Sequence, residues 1–274
     1  MTGTTAGTPD RVTRPVAVVT GAANGIGAAT ALTLAAGGWN LALGDVATSD
    51  AVAGLSYPLA DEAELHAVAD RCRALGSDVV ALACDVRDEV QVQALCRAAG
   101  HRLQAVVAAA GVIGADGPAW QQSAADLDRD LSVNLHGVAN LARAAVPILL
   151  AGPNPAAGRL VAIVSSAGST GLPMLASYVA AKHAALGYIR SLAADLGPFG
   201  VTANAVMPGS TRTRLLVRTA AAYGLEDMEG FARHQRIGRL IEPHEVAAVV
   251  AWLVSPEASA TTGAAFAVDG GFVG

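Results

Sequence analysis

A phenol and an ammonium stand four residues apart in the stretch YVAAK, at Tyr178 and Lys182. On a helix that spacing puts both side chains on one face. The chain has 18 basic residues, and Lys182 is its one lysine. The position therefore calls for a compact, rotatable ammonium and not a planar guanidinium. A tyrosine with its ordinary pKa near 10 is a poor base at neutral pH. Lowering it by about 2 to 3 units takes roughly 3 to 4 kcal/mol, and a unit charge about 4 Å away at an effective dielectric near 20 supplies about 4 kcal/mol. Lys182 is expected to lower Tyr178 in this way, with burial working against it.

A second group of residues suits an anion. TGAANGIG, residues 20–27, places glycines at 21, 25 and 27 where an apolar run gives way to a helix of small residues. Backbone N–H groups left open at such a helix start can cradle a pyrophosphate. Asp45 follows Gly27 by eighteen residues, at the end of the next apolar run, where a carboxylate can accept from an adenosine ribose. A GxxxxGK[ST] loop is absent, which disfavours an ATP or GTP hydrolase and favours a dinucleotide. Residues 15–70 contain no Lys or Arg, so a 2′-phosphate beside Asp45 would meet a like charge. NAD is expected over NADP.

These residues need elements to position them. Strands are predicted at 16–20, 40–45, 79–85, 105–109, 160–165, 202–206 and 264–268, with helical segments between them. One helix, over 61–75, opens with the box-like Asp61-x-x-Glu64 and closes at Gly76. Apolar strands alternating with helices predict an α/β fold: a single Rossmann-like doubly wound domain over residues 15–274, with about seven parallel strands and helices on both faces. Residues 46–60 and 211–240 exceed a minimal repeat. Both follow strand ends, where ligands bind in such sheets.

With 274 residues, 53% hydrophobic and 15% charged, the chain can bury one large core. A net charge of −5 gives no basic field for nucleic acid. The longest apolar runs fall short of the roughly 18 to 20 residues that span a bilayer, so no membrane partner is expected. Residues 1–14 lack an apolar signal core and read as a flexible lead-in, which implies a cytoplasmic protein. Cys72, Cys84 and Cys96 have no metal-ligand spacing and read as packed thiols; no metal is expected. His136 and His244 have no partner pattern, and His183 points about 100° away from Lys182 on a helix.

The motifs TGxxxGxG at 20–27, Asp85-Val86, Asn134 in LSVNLHG, Ser165, YxxxK, Pro208-Gly209 and the closing VDGG together resemble the short-chain dehydrogenase/reductase family over residues 16–274. Spacing to Tyr178 selects Ser165 over Ser166. Where the family has Asn-Ala-Gly, this chain has Ala109-Ala110-Gly111, which removes a side-chain amide. The resemblance implies that Tyr178 exchanges a proton with an alcohol or ketone while hydride moves to or from NAD. It implies that Lys182 also holds the nicotinamide ribose, that Ser165 steadies the substrate oxygen, and that Asn134 holds a relay water. The cofactor set is Gly21, Asn24, Gly25, Ile26, Gly27, Asp45, Val46, Asp85, Val86, Ala109, Ala110, Gly111, Tyr178, Lys182, Pro208, Gly209, Thr211 and Thr213.

The loops carrying YPLADEAEL, AAAGVIG and PGSTRT resemble an actinobacterial branch associated with the redox peptide mycofactocin. That narrower likeness implies a tightly bound NAD, held by residues 46–60 over its adenosine end and reoxidised by an external carrier. The family also implies a homotetramer. Trp120, Leu172, Met174, Leu215 and Tyr223 are the candidate pocket for a hydrophobic secondary alcohol or its ketone. The competing reading is a catalytically silent NAD(H)-binding regulator.

Overall fold

In the computed structural model, residues 13–273 are described, so most of the lead-in expected over 1–14 lies outside the described residues. Arg14 belongs to the fold: its guanidinium donates to the Gly76 carbonyl at 3.0 Å, and its own carbonyl accepts from Arg102 at 3.0 Å.

The strands are β1 (Val16–Thr20), β2 (Asn40–Asp45), β3 (Val79–Ala83), β4 (Leu103–Ala108), β5 (Arg159–Ile163), β6 (Thr202–Pro208) and β7 (Ala265–Val268). They form one sheet in the order β3-β2-β1-β4-β5-β6-β7, with every neighbouring pair parallel. The helices are α1 (Gly25–Ala36), α2 (Glu62–Ala74), α3 (Glu89–Ala99), α4 (Ala124–Leu131), α5 (Gly137–Ala151), α6 (Ala176–Leu196), α7 (Arg214–Ala222) and α8 (Pro243–Leu253).

Alternate residues of β1 enter different cores. Ala17 and Val19 meet Leu34 of α1, Leu65 of α2 and Val250 of α8, whereas Val16 and Val18 share a cluster with Leu95 of α3, Leu141 of α5 and Ile189 of α6. Covering both faces explains why these strands read as continuous apolar runs. Chain direction across the sheet reverses between β1 and β4, which opens a crevice at their carboxyl ends.

One feature differs from the sequence-based expectation. A single π-helical turn, Ser132–His136, joins α4 to α5 and makes a continuous 28-residue helix, Ala124–Ala151. By length and composition it could cross a membrane, a length that the interrupted apolar runs concealed. Instead it packs on α3, α6 and β4.

Residues 46–60 contain no helix or strand, yet the segment is tied down. Val52 and Ala60 are buried, Leu59 donates to the Ser49 carbonyl at 2.8 Å, and the carbonyls of Ala51 and Ala53 accept from Arg87 and Arg129. The excursion at 211–240 contains α7 and a small core of Leu216, Ala220, Phe231 and Leu240.

Candidate active site

The glycine turn is fixed by close backbone approach. A Cβ on Gly27 would lie 1.9 Å from the Gly21 carbonyl oxygen, and one on Gly21, where φ is +65°, would lie 2.6 Å from the Ala110 nitrogen. Packing alone therefore demands those two glycines. Gly25 differs: its φ is +56°, and its Cβ would meet only the Thr213 side chain, with Cγ2 at 3.2 Å and Cβ at 3.6 Å. Asp45 braces the same turn, accepting from the backbone N–H groups of Ala23 and Val46 at 2.8 Å each. Burial raises its pKa, those two bonds lower it, and the charge of Glu64 raises it again, leaving it above the usual carboxylate value.

Folding brings in a cation from outside residues 15–70. Arg214 of α7 lines the crevice, but it is engaged by Glu64, with Nη1 donating to Oε2 at 2.9 Å and Nη2 bonded to Oε1. Asp85 is also engaged. Its carboxylate accepts from Nε and Nη2 of Arg87, at 3.0 and 2.6 Å, and although burial raises it, this pairing holds it below the usual value.

Every residue of the expected cofactor set lines one crevice, which runs from the glycine turn past Asp45 to Tyr178 and α7. At its inner end Tyr178 and Lys182, both on α6, are buried at 6% and 4% exposure. Lys182 Nζ donates to the Ile163 carbonyl at 3.0 Å and lies 5.6 Å from the centre of the Tyr178 ring. Burial pulls the ammonium down to about 8, against the attraction of Asp130. The expected lowering of Tyr178 by Lys182 is not the balance found. Burial pushes the phenol up, Ser165 offsets part of this through a hydrogen bond, and the charges of Asp130 and Tyr57 push it further up.

Asn134 sits in the π turn, fully buried. Its Nδ2 donates to the carbonyls of Val112 and Asp130, both at 2.9 Å, and its Oδ1 accepts from Val112 N at 3.2 Å. The side chain thus holds the segment after β4 in place. Both Asn134 Oδ1 and Lys182 Nζ crowd the position a Cβ would take on Gly111, at 3.0 and 3.3 Å. The glycine leaves room for both. His183 faces outward, its Nδ1 against the Val179 carbonyl at 2.9 Å.

A family model described as enoyl-(acyl carrier protein) reductase matches residues 21–273. The chain belongs to the short-chain dehydrogenase/reductase family. It is 37% identical to cis-4-hydroxycyclohexanecarboxylate dehydrogenase of Sinomonas cyclohexanicum, over 94% of this chain and 96% of that protein. It is 34% identical to 2,5-dichloro-2,5-cyclohexadiene-1,4-diol dehydrogenase of Sphingobium indicum, over 93% and 95%. Carveol dehydrogenase from Mycobacterium avium in complex with NAD superposes with a TM-score of 0.88 at 27% identity, over 96% of this chain and 99% of that one.

Within this short-chain dehydrogenase/reductase fold, the chamber beyond Tyr178 is apolar. Leu172, Leu215 and Tyr223 pack around Ile113, Leu175 and Tyr178. Two expected members are elsewhere. Trp120 is 84% exposed in the short turn Ala119–Gln121, outside the crevice. Met174 also lies off the lining, where its carbonyl accepts from Gly117 N and Gln122 Nε2. Apolar composition alone had selected both.

The sequence reading did not single out Tyr57, Phe231 and Asp130. Phe231 enters the chamber from a short turn in residues 211–240. Tyr57 leaves the loop after β2 and crosses to the substrate end, where its Oη accepts from Ile113 N at 3.0 Å. Burial pushes its phenol up to about 12. An aromatic ring within an otherwise small and polar loop was the one signal available for it.

Proposed function

We propose that the chain is an NAD(H)-dependent oxidoreductase that interconverts a hydrophobic, alicyclic secondary alcohol and its ketone. The observation that carries this reading is the group formed by the half-buried Ser165 and the buried Tyr178 and Lys182, set between a glycine-turn crevice and an apolar chamber. The relatives named above act on six-membered-ring alcohols, which fits Leu172, Leu215, Tyr223 and Phe231 as walls. A silent NAD(H)-binding regulator has no observation in its favour.

The crevice fits NAD. Gly25 leaves the turn open for a pyrophosphate, Asp45 stands at the ribose end, and Arg214 is already paired with Glu64, so among the described residues a 2′-phosphate would find no free cation lining the crevice. NAD supplies the hydride acceptor. In the reducing direction Tyr178, held protonated by burial, donates its Oη proton to the ketone oxygen. Ser165 donates its hydroxyl to the same oxygen and steadies its charge. In the oxidising direction Tyr178 must first lose that proton, and Lys182 favours the loss through its charge. The apolar chamber excludes water from the exchange.

The same reading extends to residues 46–60 as a strap that retains NAD, to an external carrier of the mycofactocin type as electron acceptor, and to a homotetramer in the cytoplasm. The deciding experiment is turnover of cyclohexanol and terpene alcohols with free NAD, free NADP and an artificial electron acceptor. We expect oxidation with NAD or with the artificial acceptor. No turnover of any alcohol or ketone under any of the three conditions would remove the enzymatic reading.

A further inference from the structure

Three consecutive backbone N–H groups after β4 donate to side chains that arrive from elsewhere in the chain. Val112 N reaches Asn134 Oδ1 at 3.2 Å, Ile113 N reaches Tyr57 Oη at 3.0 Å, and Gly114 N reaches Asp130 Oδ1 at 2.8 Å. Asn134 spends its own amide hydrogens on the carbonyls of Val112 and Asp130. Tyr57 differs. Because its Oη accepts from Ile113 N, its hydroxyl hydrogen must turn away from that contact, and among the described residues no acceptor meets it. Burial keeps the phenol protonated at neutral pH, so the hydrogen is there to be donated.

The ring that carries this hydrogen is fixed from both sides. Before it, the Ala51 carbonyl accepts from Arg87 Nη2 at 2.7 Å and the Ala53 carbonyl from Arg129 Nε at 2.9 Å; after it, Leu59 N donates to the Ser49 carbonyl at 2.8 Å and Ala60 is buried. Pro58 restricts the Tyr57 backbone to extended conformations. Tyr57 lines the crevice, and the residue that it holds, Ile113, packs with Leu172, Leu175, Tyr178, Leu215 and Tyr223. The hydroxyl therefore stands at the substrate end. Neighbouring polar groups of the lining are committed: Tyr223 Oη donates to the Pro173 carbonyl at 2.5 Å, Thr219 Oγ1 to the Leu215 carbonyl at 2.8 Å, and His234 Nε2 receives Arg233 Nε at 3.3 Å.

We propose that Tyr57 is a specificity-determining donor of the chamber, and that the substrate carries a second, neutral oxygen function, a hydroxyl or a carbonyl, which accepts the Tyr57 hydroxyl hydrogen while the reacting carbon lies at Tyr178. A plain hydrocarbon ring that displaced water from the chamber would leave this donor unpaired, at a cost that an oxygen on the ring removes. A site built around such a donor therefore rejects the analogue that lacks the acceptor more strongly than an apolar wall could. The second oxygen is neutral because a carboxylate would be buried without a free cation: Lys182 donates to the Ile163 carbonyl, Arg214 is paired with Glu64, and Arg218 is paired with Asp116.

This role deepens the alicyclic-alcohol reading and rests on it. The test compares cyclohexane-1,3-diol and cyclohexane-1,4-diol with 3-methylcyclohexanol and 4-methylcyclohexanol, which have the same size without the second oxygen, in the NAD-supplied protein. We expect the parent to favour at least one diol over its methyl counterpart by about 10-fold, in calorimetric affinity and in kcat/KM counted per reactive hydroxyl. In Tyr57→Phe that preference should vanish. A purely structural role for Tyr57 would weaken diol and methyl compound alike and leave their ratio unmoved, so an unchanged ratio overturns the proposal, as does a parent with no preference for either diol. Should Tyr57→Phe not fold, 13Cζ-tyrosine labelling of the parent decides. The chain has four tyrosines, and the signal assigned to Tyr57 through its contact with Ile113 N–H should shift with the preferred diol and stay in place with the methyl compound. The same response to both overturns the proposal. If the diol binds with the stated preference while no alcohol is oxidised, the recognition by Tyr57 stands and the enzymatic reading fails; if diol and methyl compound are oxidised equally well, the enzymatic reading stands and the role of Tyr57 fails.

Discussion

At Tyr178 and Lys182, burial opposes the charge that each residue would carry in the reaction. Tyr178→Phe removes only the proton-bearing oxygen, so the fold and the NAD affinity should persist while kcat falls by about 10^3 or more. Turnover and a binding titration on one preparation check this, and near-normal kcat would transfer the proton chemistry to another group. The lysine makes its own prediction. Its folded value, about 8, lies below the 10.5 of free lysine, so between those limits the folded chain binds fewer protons than the unfolded chain and stability rises with pH. Relative to Lys182→Met, the parent should gain about 3 kcal/mol from pH 8 to 10.5 in urea denaturation, and a flat difference would mean that the ammonium is solvated. Spacing made the Tyr178 and Lys182 pair legible, and the family resemblance, with spacing to Tyr178, added Ser165. Asp130 and Tyr57 were not, because each matters through contacts that cross from one element to another.

The elements that carry the site divide in the same way. The glycine turn, the capped start of α2 and the succession of strands follow local rules, so the sequence discloses them. The π turn breaks helical periodicity at Asn134, and the path of residues 46–60 depends on which carbonyls Arg87 and Arg129 find. Neither leaves a pattern in the chain. Tyr57→Phe tests the path: it deletes the acceptor for Ile113 N, and an unpaired N–H should cost about 1–3 kcal/mol in urea unfolding. It should also raise KM, since Ile113 is part of the chamber wall. Unchanged stability and KM would make the Tyr57 contact dispensable. At the end of β2, Asp45→Ala should move the ratio of NAD to NADP affinity toward NADP by removing a like charge from the 2′ position. Because Arg214 stays bound to Glu64, the shift should be smaller than a full reversal, and adding Glu64→Ala should enlarge it. Binding titrations with the two variants check both steps, and a ratio unmoved by either would take the ribose away from Asp45.

Across the whole molecule, one sheet places the two ends of the crevice on different connections: the glycine turn and residues 46–60 beside β1 and β2, and α7 and Phe231 after β6. The strap spans both ends. Val52, Pro58, Leu59 and Ala60 line the crevice near Asp45, while Tyr57 reaches Ile113 at the substrate end. A ligand lying along the crevice would touch this segment, and the segment is held by Arg87, Arg129 and its own buried Val52. NAD should therefore remain with the protein through purification, at about one molecule per chain after denaturation and quantitation, and exchange slowly with free NAD. Deleting residues 47–56 removes the Ala51 and Ala53 carbonyls and takes Val52 and Leu55 from one sheet core, but leaves Tyr57, the rest of that core and the whole of the other, so the fold should survive and the retained NAD should fall well below one per chain. Because Arg87 would keep Asp85 and Arg129 would keep Asp126, neither cation is left unpaired by the deletion. If the parent protein instead purifies without NAD and turns over freely with added NAD, residues 46–60 are a wall of the crevice and not its latch, and an external electron carrier has no role in the cycle.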